Sequence, residues 1–363
     1  MRELIEQISR WREPFALATV LSTSGNTPRG VGSALAVNTA GVVHGAVSGG
    51  CVDADVYEEC RAVLDGAPPS RLSFGPSADD PLGIGLGCGG NITVFVHQVD
   101  PLQDPSFGAT VAALRSGKPL ARATVVAGPA AVLGQTVAVT VGLTAGRIGV
   151  LPLHRRAAER ARAAVESGGS RLLVFEDPGE APVEIFVESY PAPPRLLVFG
   201  ATDVAGGLSR LAPALGYRVT VCDARALFAD PRRFPSGTEV VVDRPERYLT
   251  RTEVGPDTVI CAMTHDLKFD VPLLTLALRL SVAYVGALGS RGSVAARTEA
   301  LRLAGLDNEE LTRLHAPVGL DLGGRSPEET ALAILAEVVM TRHHGCGNPL
   351  RDLSGPLHRS VSV

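Results

Sequence analysis

The chain has 363 residues, a length that predicts two or three domains at roughly 150 residues per domain. Apolar residues make up 45% of the chain and charged residues 20%, which is typical of a globular protein. The formal net charge of −4 is spread without a basic block, so the composition argues against nucleic acid as a partner. No run approaches the ~18–20 apolar residues of a membrane helix, and the N-terminal stretch lacks a signal-peptide core. We therefore expect a cytoplasmic protein without a membrane partner.

The first residues predict a short amphipathic helix, because apolar side chains recur at helical spacing. These side chains are Leu4, Ile5, Ile8 and Trp11. The chain has six cysteines with neither a C-x-x-C pair nor zinc-finger spacing. Most of the cysteines are therefore expected to be small buried residues.

An internal repeat occupies the first 190 residues, with copies at about 15–101 and 120–193. Strand, turn, helix and strand patterns correspond in the same order. The matching pairs are "LATV" and "RATV", "GSALAVNTAG" and "GQTVAVTVGLTAG", "VDADVYEECRAVLDG" and "RRAAERARAAVESGG", "SRLSF" and "SRLLVF", and "NITVFVHQVDP" and "PVEIFVESYPAP". Residues 1–190 are therefore predicted to form an α/β domain built from a degenerate repeat.

The two copies differ at two glycine-rich turns. The first copy carries "SGGC" (48–51) before its helix and "GLGCGG" (85–90) before its closing strand, whereas the second copy has neither. A fold that needed these residues would need them in both copies, which favours a binding site in the first copy. Glycine turns with incidental buried thiols are the alternative.

The chemistry of these turns suits an anionic or soft ligand. Glycines admit a close backbone approach, and consecutive N–H groups in such turns form anion-binding concavities. Cys51 lies near a helix N-terminus, where the dipole favours a thiolate, although Asp53 and Asp55 oppose this effect. The candidate ligand-binding residues are Arg29, Ser48, Gly49, Gly50, Cys51, Gly87, Cys88, Gly89 and Gly90, with Arg29 as a phosphate partner.

The second half predicts a doubly wound domain of the Rossmann type over residues 195–350, after a proline-rich linker. A buried strand is followed by Gly200, a helix and a second strand that ends at Asp223, the position of a ribose-binding acid. The glycine fingerprint is incomplete, because Thr202 and Asp203 stand in the turn that would receive a pyrophosphate. NAD(P) is thus a weakened expectation, and a Rossmann fold without a nucleotide is the alternative.

Further strands are predicted at 238–243, 257–263 and 282–288, and two of them end in polar residues. His265 follows one strand as a candidate acid or base, with helix capping or core packing as alternatives. Gly289, Ser290 and Arg291 follow the next strand and open a helix, which makes them a candidate anion cradle. His343, His344 and Cys346 are interpreted as a frayed helix end and not a metal site, and residues 351–363 as a disordered tail.

Motifs in both halves resemble the XdhC/CoxI family of accessory factors for molybdenum hydroxylases. The motifs are "GNTPRGVGSALAV", "GAVSGGCVDADV", "GLGCGGNITVFV", "RLLVFGATDVA", "MTHDLKFD", "YVGALGSRGS" and "HAPVGLDLGGRSPEETALAILAEVV". The resemblance implies binding of molybdenum cofactor, assistance with its sulfuration and its insertion into an apo-hydroxylase. It also implies a cysteine desulfurase as a partner and a homodimer. The family cysteines match Cys51 and Cys88, which become possible molybdenum ligands.

Three functions remain open on the sequence. The first is a molybdenum cofactor chaperone for an enzyme of the xanthine dehydrogenase or carbon monoxide dehydrogenase type, favoured over a turnover enzyme. The second is an NAD(P)-dependent oxidoreductase with His265 as its acid or base. The third is a docking scaffold without a bound cofactor. The candidates for any catalytic role are Cys51, Cys88 and His265.

Overall fold

The computed structural model describes residues 4–75, 89–176 and 181–354. The chain forms two compact units, residues 1–192 and residues 193–354. Within the described residues, no helix is long and apolar enough to cross a membrane.

The first half of unit one is an antiparallel sheet covered by a helix. Its elements are α1 (Ile5–Ile8), β1 (Phe15–Ser24), β2 (Ala34–Asn38), β3 (Val43–Gly45), α2 (Asp53–Leu64), β4 (Ser70–Phe74) and β5 (Asn91–Val99). The five strands lie in the order β3-β2-β1-β5-β4. Helix α2 buries Val56, Cys60 and Val63 against one face of this sheet.

The second half of unit one repeats this arrangement. Its elements are α3 (Pro105–Arg115), β6 (Leu120–Ala127), β7 (Thr136–Thr140), β8 (Leu143–Gly146), α4 (Leu151–Ser167), β9 (Arg171–Phe175) and β10 (Val183–Tyr190). The strand order β8-β7-β6-β10-β9 is the equivalent of the first sheet. Helix α4 covers this sheet with Ala157, Ala161 and Ala164. The α/β repeat predicted from the sequence is present in the fold.

The two sheets of unit one pack against each other through the faces that α2 and α4 leave open. Phe95 of the first sheet and Phe186 of the second belong to one buried cluster. Leu17 and Leu120 belong to a second buried cluster, which Ile8 of the N-terminal helix joins.

Unit two is a parallel sheet with helices on both faces. Its elements are β11 (Arg195–Phe199), α5 (Asp203–Leu211), β12 (Arg218–Asp223), β13 (Glu239–Val242), α6 (Pro245–Arg251), β14 (Val259–Ala262), α7 (Leu267–Ala277), β15 (Tyr284–Ala287), α8 (Arg291–Leu303), α9 (Asn308–Thr312), β16 (Leu314–His315) and α10 (Pro327–Arg342). The strand order β13-β12-β11-β14-β15-β16, with every pair parallel, is the doubly wound Rossmann order that the sequence predicts.

The order of this sheet fixes where its loops converge. Because successive strands are added to one side of β11 up to β13 and to its other side from β14 on, a crevice opens outside the carboxyl ends of β11 and β14. At the C-terminal end of the unit, Leu350–Asp352 form a short 3-10 turn. The rest of the predicted disordered tail, residues 355–363, lies outside the described residues.

Candidate functional site

Three glycine-bearing turns of the first repeat copy meet at one end of its sheet. A side-chain carbon at Gly90 would lie 2.2 Å from the carbonyl oxygen of Asn26, and one at Gly25 would lie 3.2 Å from the Cα of Gly90. The turn after β1 and the turn before β5 are therefore in backbone contact. A side-chain carbon at Gly49 would lie 3.9 Å from the Cβ of Pro28, which places the turn before α2 beside them.

This contact brings together candidate residues that are far apart in the sequence. Arg29, which is partly buried, lies in the first turn, the segment 48–51 in the second, and Gly89 and Gly90 in the third. Gly87 and Cys88 lie outside the described residues, so their place in the cluster stays a prediction.

Asp53 organises the turn that carries Cys51. Its Oδ1 accepts hydrogen bonds from the backbone N–H groups of Val47 (2.8 Å) and Ser48 (3.1 Å), and its Oδ2 accepts one from Gly50 (2.5 Å). The Ser48 hydroxyl accepts in turn from the backbone N–H of Val52. The N–H groups of Ser48 and Gly50 are thus satisfied by a carboxylate of the chain itself. An external anion at 48–50 would have to compete with Asp53 for these two donors.

Cys51 is exposed, in contrast to most of the described cysteines. Burial raises the pKa of Cys60, Cys222 and Cys261 to about 12 each, which leaves these thiols protonated and unreactive. Cys51 lies two residues before α2, and its sulfur is open to a ligand. Cys346, in unit two, is the other exposed cysteine among the described residues. Across residues 4–75, 89–176 and 181–354, no group of three or more His, Cys, Asp or Glu side chains is arranged to hold a metal ion.

In unit two, a cavity of about 350 Å³ opens at the carboxyl ends of β11, β12 and β14. Its lining combines apolar walls with polar ends of strands. The lining residues are Gly200, Thr202, Asp223, Ala224, Arg225, Pro245, Met263, Thr264, His265, Asp266 and Phe269. The structure therefore places Gly200, Asp223 and the exposed His265 around one cavity, as expected of neighbouring strand ends.

The Asp223 carboxylate is already engaged within the chain. Its Oδ2 accepts from the N–H of Ala201 (2.9 Å) and from Arg225 Nη2 (2.8 Å), and its Oδ1 accepts from Arg225 Nε (3.0 Å). Burial acts to raise the pKa of Asp223, but the hydrogen bonds from Arg225 and Ala201 outweigh it and hold the pKa below its ordinary value. A ribose hydroxyl would have to compete with Arg225 for this carboxylate.

The N-terminus of the first helix of unit two is capped by a side chain of the same turn. Thr202 caps α5 by accepting from the N–H of Ala205 (3.3 Å), and Asp203 begins the helix. Asp203 is 83% exposed and pairs with Arg233 at 3.6 Å. A carboxylate at the first helical position opposes a pyrophosphate there.

The second predicted anion cradle lies at the N-terminus of α8. Ser290 caps this helix by accepting from the N–H of Ser293 (3.2 Å), and Arg291 is its exposed first residue. Sequence reasoning missed Arg297, a buried cation further along the helix. An arginine in a helix with an exposed face gives no sign of burial in the sequence. The sequence analysis also did not predict that Asp53 organises the turn before α2. Its position at the start of a predicted helix could have indicated this role.

Two family models match the chain. One, described as the XdhC and CoxI family, matches residues 9–75, and the other, described as the XdhC Rossmann domain, matches residues 196–338.

Curated relatives and a solved structure extend the similarity to most of the chain. A protein of Bacillus subtilis (strain 168) that is named a probable xanthine dehydrogenase subunit is 25% identical over 342 residues, which are 93% of this chain and 96% of that protein. The molybdenum cofactor insertion chaperone PaoD of Escherichia coli (strain K12) is 27% identical over 328 residues, or 90% of this chain and 83% of that protein. A crystal structure of a xanthine dehydrogenase from Bacillus halodurans has the same fold, with a TM-score of 0.71 and 24% identity over 94% of this chain and 96% of that one. With both halves matched, the chain belongs to the XdhC and CoxI family.

Proposed function

We propose that this protein is a maturation factor that binds molybdenum cofactor as cargo and helps to insert it into a molybdenum hydroxylase. The observation that carries the proposal is the meeting of three glycine turns, one of which leads into the exposed Cys51, in a chain of this family. The chaperone PaoD, whose name states such a role, aligns with 90% of the chain.

The residues of the cluster fit the metal end of this cargo. Molybdenum and sulfur transfer both suit a soft thiolate, and Cys51 offers an accessible sulfur beside a helix N-terminus. Because Asp53 uses the N–H groups of Val47, Ser48 and Gly50, a phosphate of the cargo finds no cradle there. We assign Arg29, in the adjoining turn, as the cation that binds this phosphate.

The finer steps follow from the family resemblance. We include assistance with sulfuration, a cysteine desulfurase as the sulfur source, an apo-hydroxylase of the xanthine dehydrogenase or carbon monoxide dehydrogenase type as the recipient, a homodimer, and the cytoplasm as the compartment. Cys88 is the second proposed cysteine of the site.

Two observations weigh against the oxidoreductase alternative. The Asp223 carboxylate is occupied by Arg225, and Asp203 stands where a pyrophosphate would bind. Calorimetric titration with NAD(H), which carries no phosphate monoester, is therefore expected to show no heat at millimolar ligand. Strong binding, abolished by Asp223→Ala, would restore the alternative with His265 as its acid or base.

The cofactor proposal is tested by expression in a host that makes molybdenum cofactor, followed by mass spectrometry and metal analysis of what copurifies. We expect Cys51→Ser to reduce the bound cofactor by at least about tenfold, as for the loss of a ligand. Cys346→Ser is the matched control, since it removes the other exposed thiol of the described chain. Equal cofactor in wild type and Cys51→Ser would remove Cys51 from the site, and no cofactor in the wild type would count against the whole proposal.

A further inference from the structure

We propose that the N-terminus of α8 binds the phosphate group of a small phosphate monoester, with Gly289, Ser290 and Arg291 forming the turn and Arg297 supplying a buried hydrogen-bond donor. All of these residues lie in unit two, so the proposal is independent of the role assigned to Cys51.

Arg297 is a buried cation with unused hydrogen-bonding capacity. Its side chain is 2% exposed and pairs with the fully buried carboxylate of Asp270, through Nε at 3.0 Å and Nη2 at 2.8 Å. Nη2 also donates to the carbonyl oxygen of Leu288 at 2.9 Å. Nη1 has no hydrogen-bond partner among the described residues of the chain. An unsatisfied buried donor of this kind costs free energy, and native structures rarely keep one without a reason.

The unpartnered nitrogen faces the turn that starts α8. A side-chain carbon at Gly289 would lie 3.3 Å from Arg297 Nη1 and 2.6 Å from Ser293 Oγ. Only a glycine leaves this approach open. Ser293 lies one helical turn before Arg297 on the same face, and its hydroxyl donates to the carbonyl oxygen of Ser290 at 2.9 Å. For an anion to reach Nη1, this hydroxyl would rotate and donate to the anion instead.

The helix end adds to the positive potential at this point. Helix α8 has 13 residues, and the N–H groups of its first turn have no acceptors within the helix. Arg291 adds a positive charge at the first position, whereas α5 has the negative charge of Asp203 there. Since Asp270 neutralises Arg297, the charge of Arg291 and the helix dipole give the site its net attraction for an anion.

The neighbouring cavity indicates the rest of the ligand. Thr264 lines the cavity, and its hydroxyl is hydrogen-bonded to Asp270, the partner of Arg297. The cavity opens at the end of β14, and the α8 turn follows β15, the adjacent parallel strand at a spacing of about 4.8 Å. The walls formed by Pro245, Met263 and Phe269 suit an apolar ring. A nucleoside monophosphate fits this combination, with free orthophosphate as the other source of the same group.

The test is calorimetric titration of the full chain with orthophosphate, adenosine 5′-monophosphate and adenosine. The wild type is expected to bind the monophosphate more tightly than adenosine. Gly289→Ala, which covers Nη1, should weaken phosphate binding by at least about tenfold, and Arg291→Gln by about threefold. Arg302→Gln, at the other end of α8, is the matched control and should stay within about twofold.

The outcomes separate the two sources of phosphate and the failure of the proposal. A monophosphate that binds more tightly than orthophosphate supports an organic ligand in the cavity, and equal affinities support free phosphate. Gly289 has no left-handed backbone, so alanine requires only a shift of the Ser293 hydroxyl, and circular dichroism checks the fold. If that variant unfolds, the exposed Arg291→Gln decides. Binding of neither phosphate, or binding that is unchanged in both variants, overturns the proposal.

Discussion

At the scale of single residues, Asp53 shows how one side chain shapes the candidate site. It begins α2 and reaches back to three backbone N–H groups, which holds the Ser48–Cys51 turn in place. Asp55, two residues later, is exposed, and the hydrogen bonds from the turn go to Asp53 instead. The two carboxylates look equivalent in the sequence, where both count only as acids near a helix N-terminus.

Asp53→Ala is therefore expected to lower the free energy of unfolding of unit one by about 2–3 kcal/mol, because it leaves three donors without a partner. The single tryptophan, Trp11, lies in this unit and reports its unfolding by fluorescence in urea. The matched variant Asp55→Ala should change stability by less than about 0.5 kcal/mol. Equal effects of the two substitutions would contradict the role of Asp53.

At the scale of elements, the repeat separates glycines of the fold from glycines of the site. Both copies place a glycine with positive φ before the second strand, in the following turn and at the end of the third strand. The pairs are Gly32 and Gly134, Gly41 and Gly142, and Gly45 and Gly146. Gly49 and Gly50 also have positive φ in the turn before α2, whereas the equivalent turn before α4 has the single glycine Gly149, with a φ of 46°. The additional glycine of the first copy supports the inference that its turn serves a ligand.

Gly45→Ala and Gly146→Ala should each destabilise unit one by about 3 kcal/mol. In each case, a side-chain carbon would lie 2.3 Å from a backbone oxygen of the neighbouring strand, at a φ of 80° or 85°. Gly108→Ala provides the contrast, because this exposed glycine of α3 has nothing within 4 Å. It should stabilise by about 0.5–1 kcal/mol. Urea unfolding of the three variants measures both signs, and a destabilising Gly108→Ala would contradict the open space assigned to this position.

At the scale of the whole molecule, the duplication in unit one places charged groups between the two sheets. Arg122 and Glu188 are buried there as an ion pair at 3.7 Å, and the Tyr190 hydroxyl donates to Glu188 at 2.7 Å. His97 occupies the position in the first copy that Glu188 occupies in the second, and it is also buried. The interface between the copies is thus sensitive to protonation.

Burial lowers the pKa of His97 to about 3, and the neighbouring Arg122 acts in the same direction. In the unfolded chain, the imidazole takes up its proton near pH 6.5. The stability from this neutral histidine is complete above about pH 6.5 and falls toward pH 3, by up to about 1.4 kcal/mol per pH unit. Trp11 fluorescence in urea at a series of pH values measures this slope. His97→Leu should flatten it, while the control His154→Gln should keep it; an unchanged slope in His97→Leu would assign the effect to other groups.

The sequence by itself determined much of this protein. Hydrophobic alternation and repeated segments predicted the two sheets of unit one, and buried strands with polar ends predicted the Rossmann order, because these features depend on local periodicity and chain order. Copy-specific glycines also indicated Cys51. Only the tertiary structure decided which polar groups are free. Asp53 accepts hydrogen bonds from N–H groups of the expected anion site, Arg225 donates to the Asp223 carboxylate, and Arg297 Nη1 has no partner among the described residues. Such partnerships join groups by distance and burial, which emerge when the elements pack and which residue spacing does not encode.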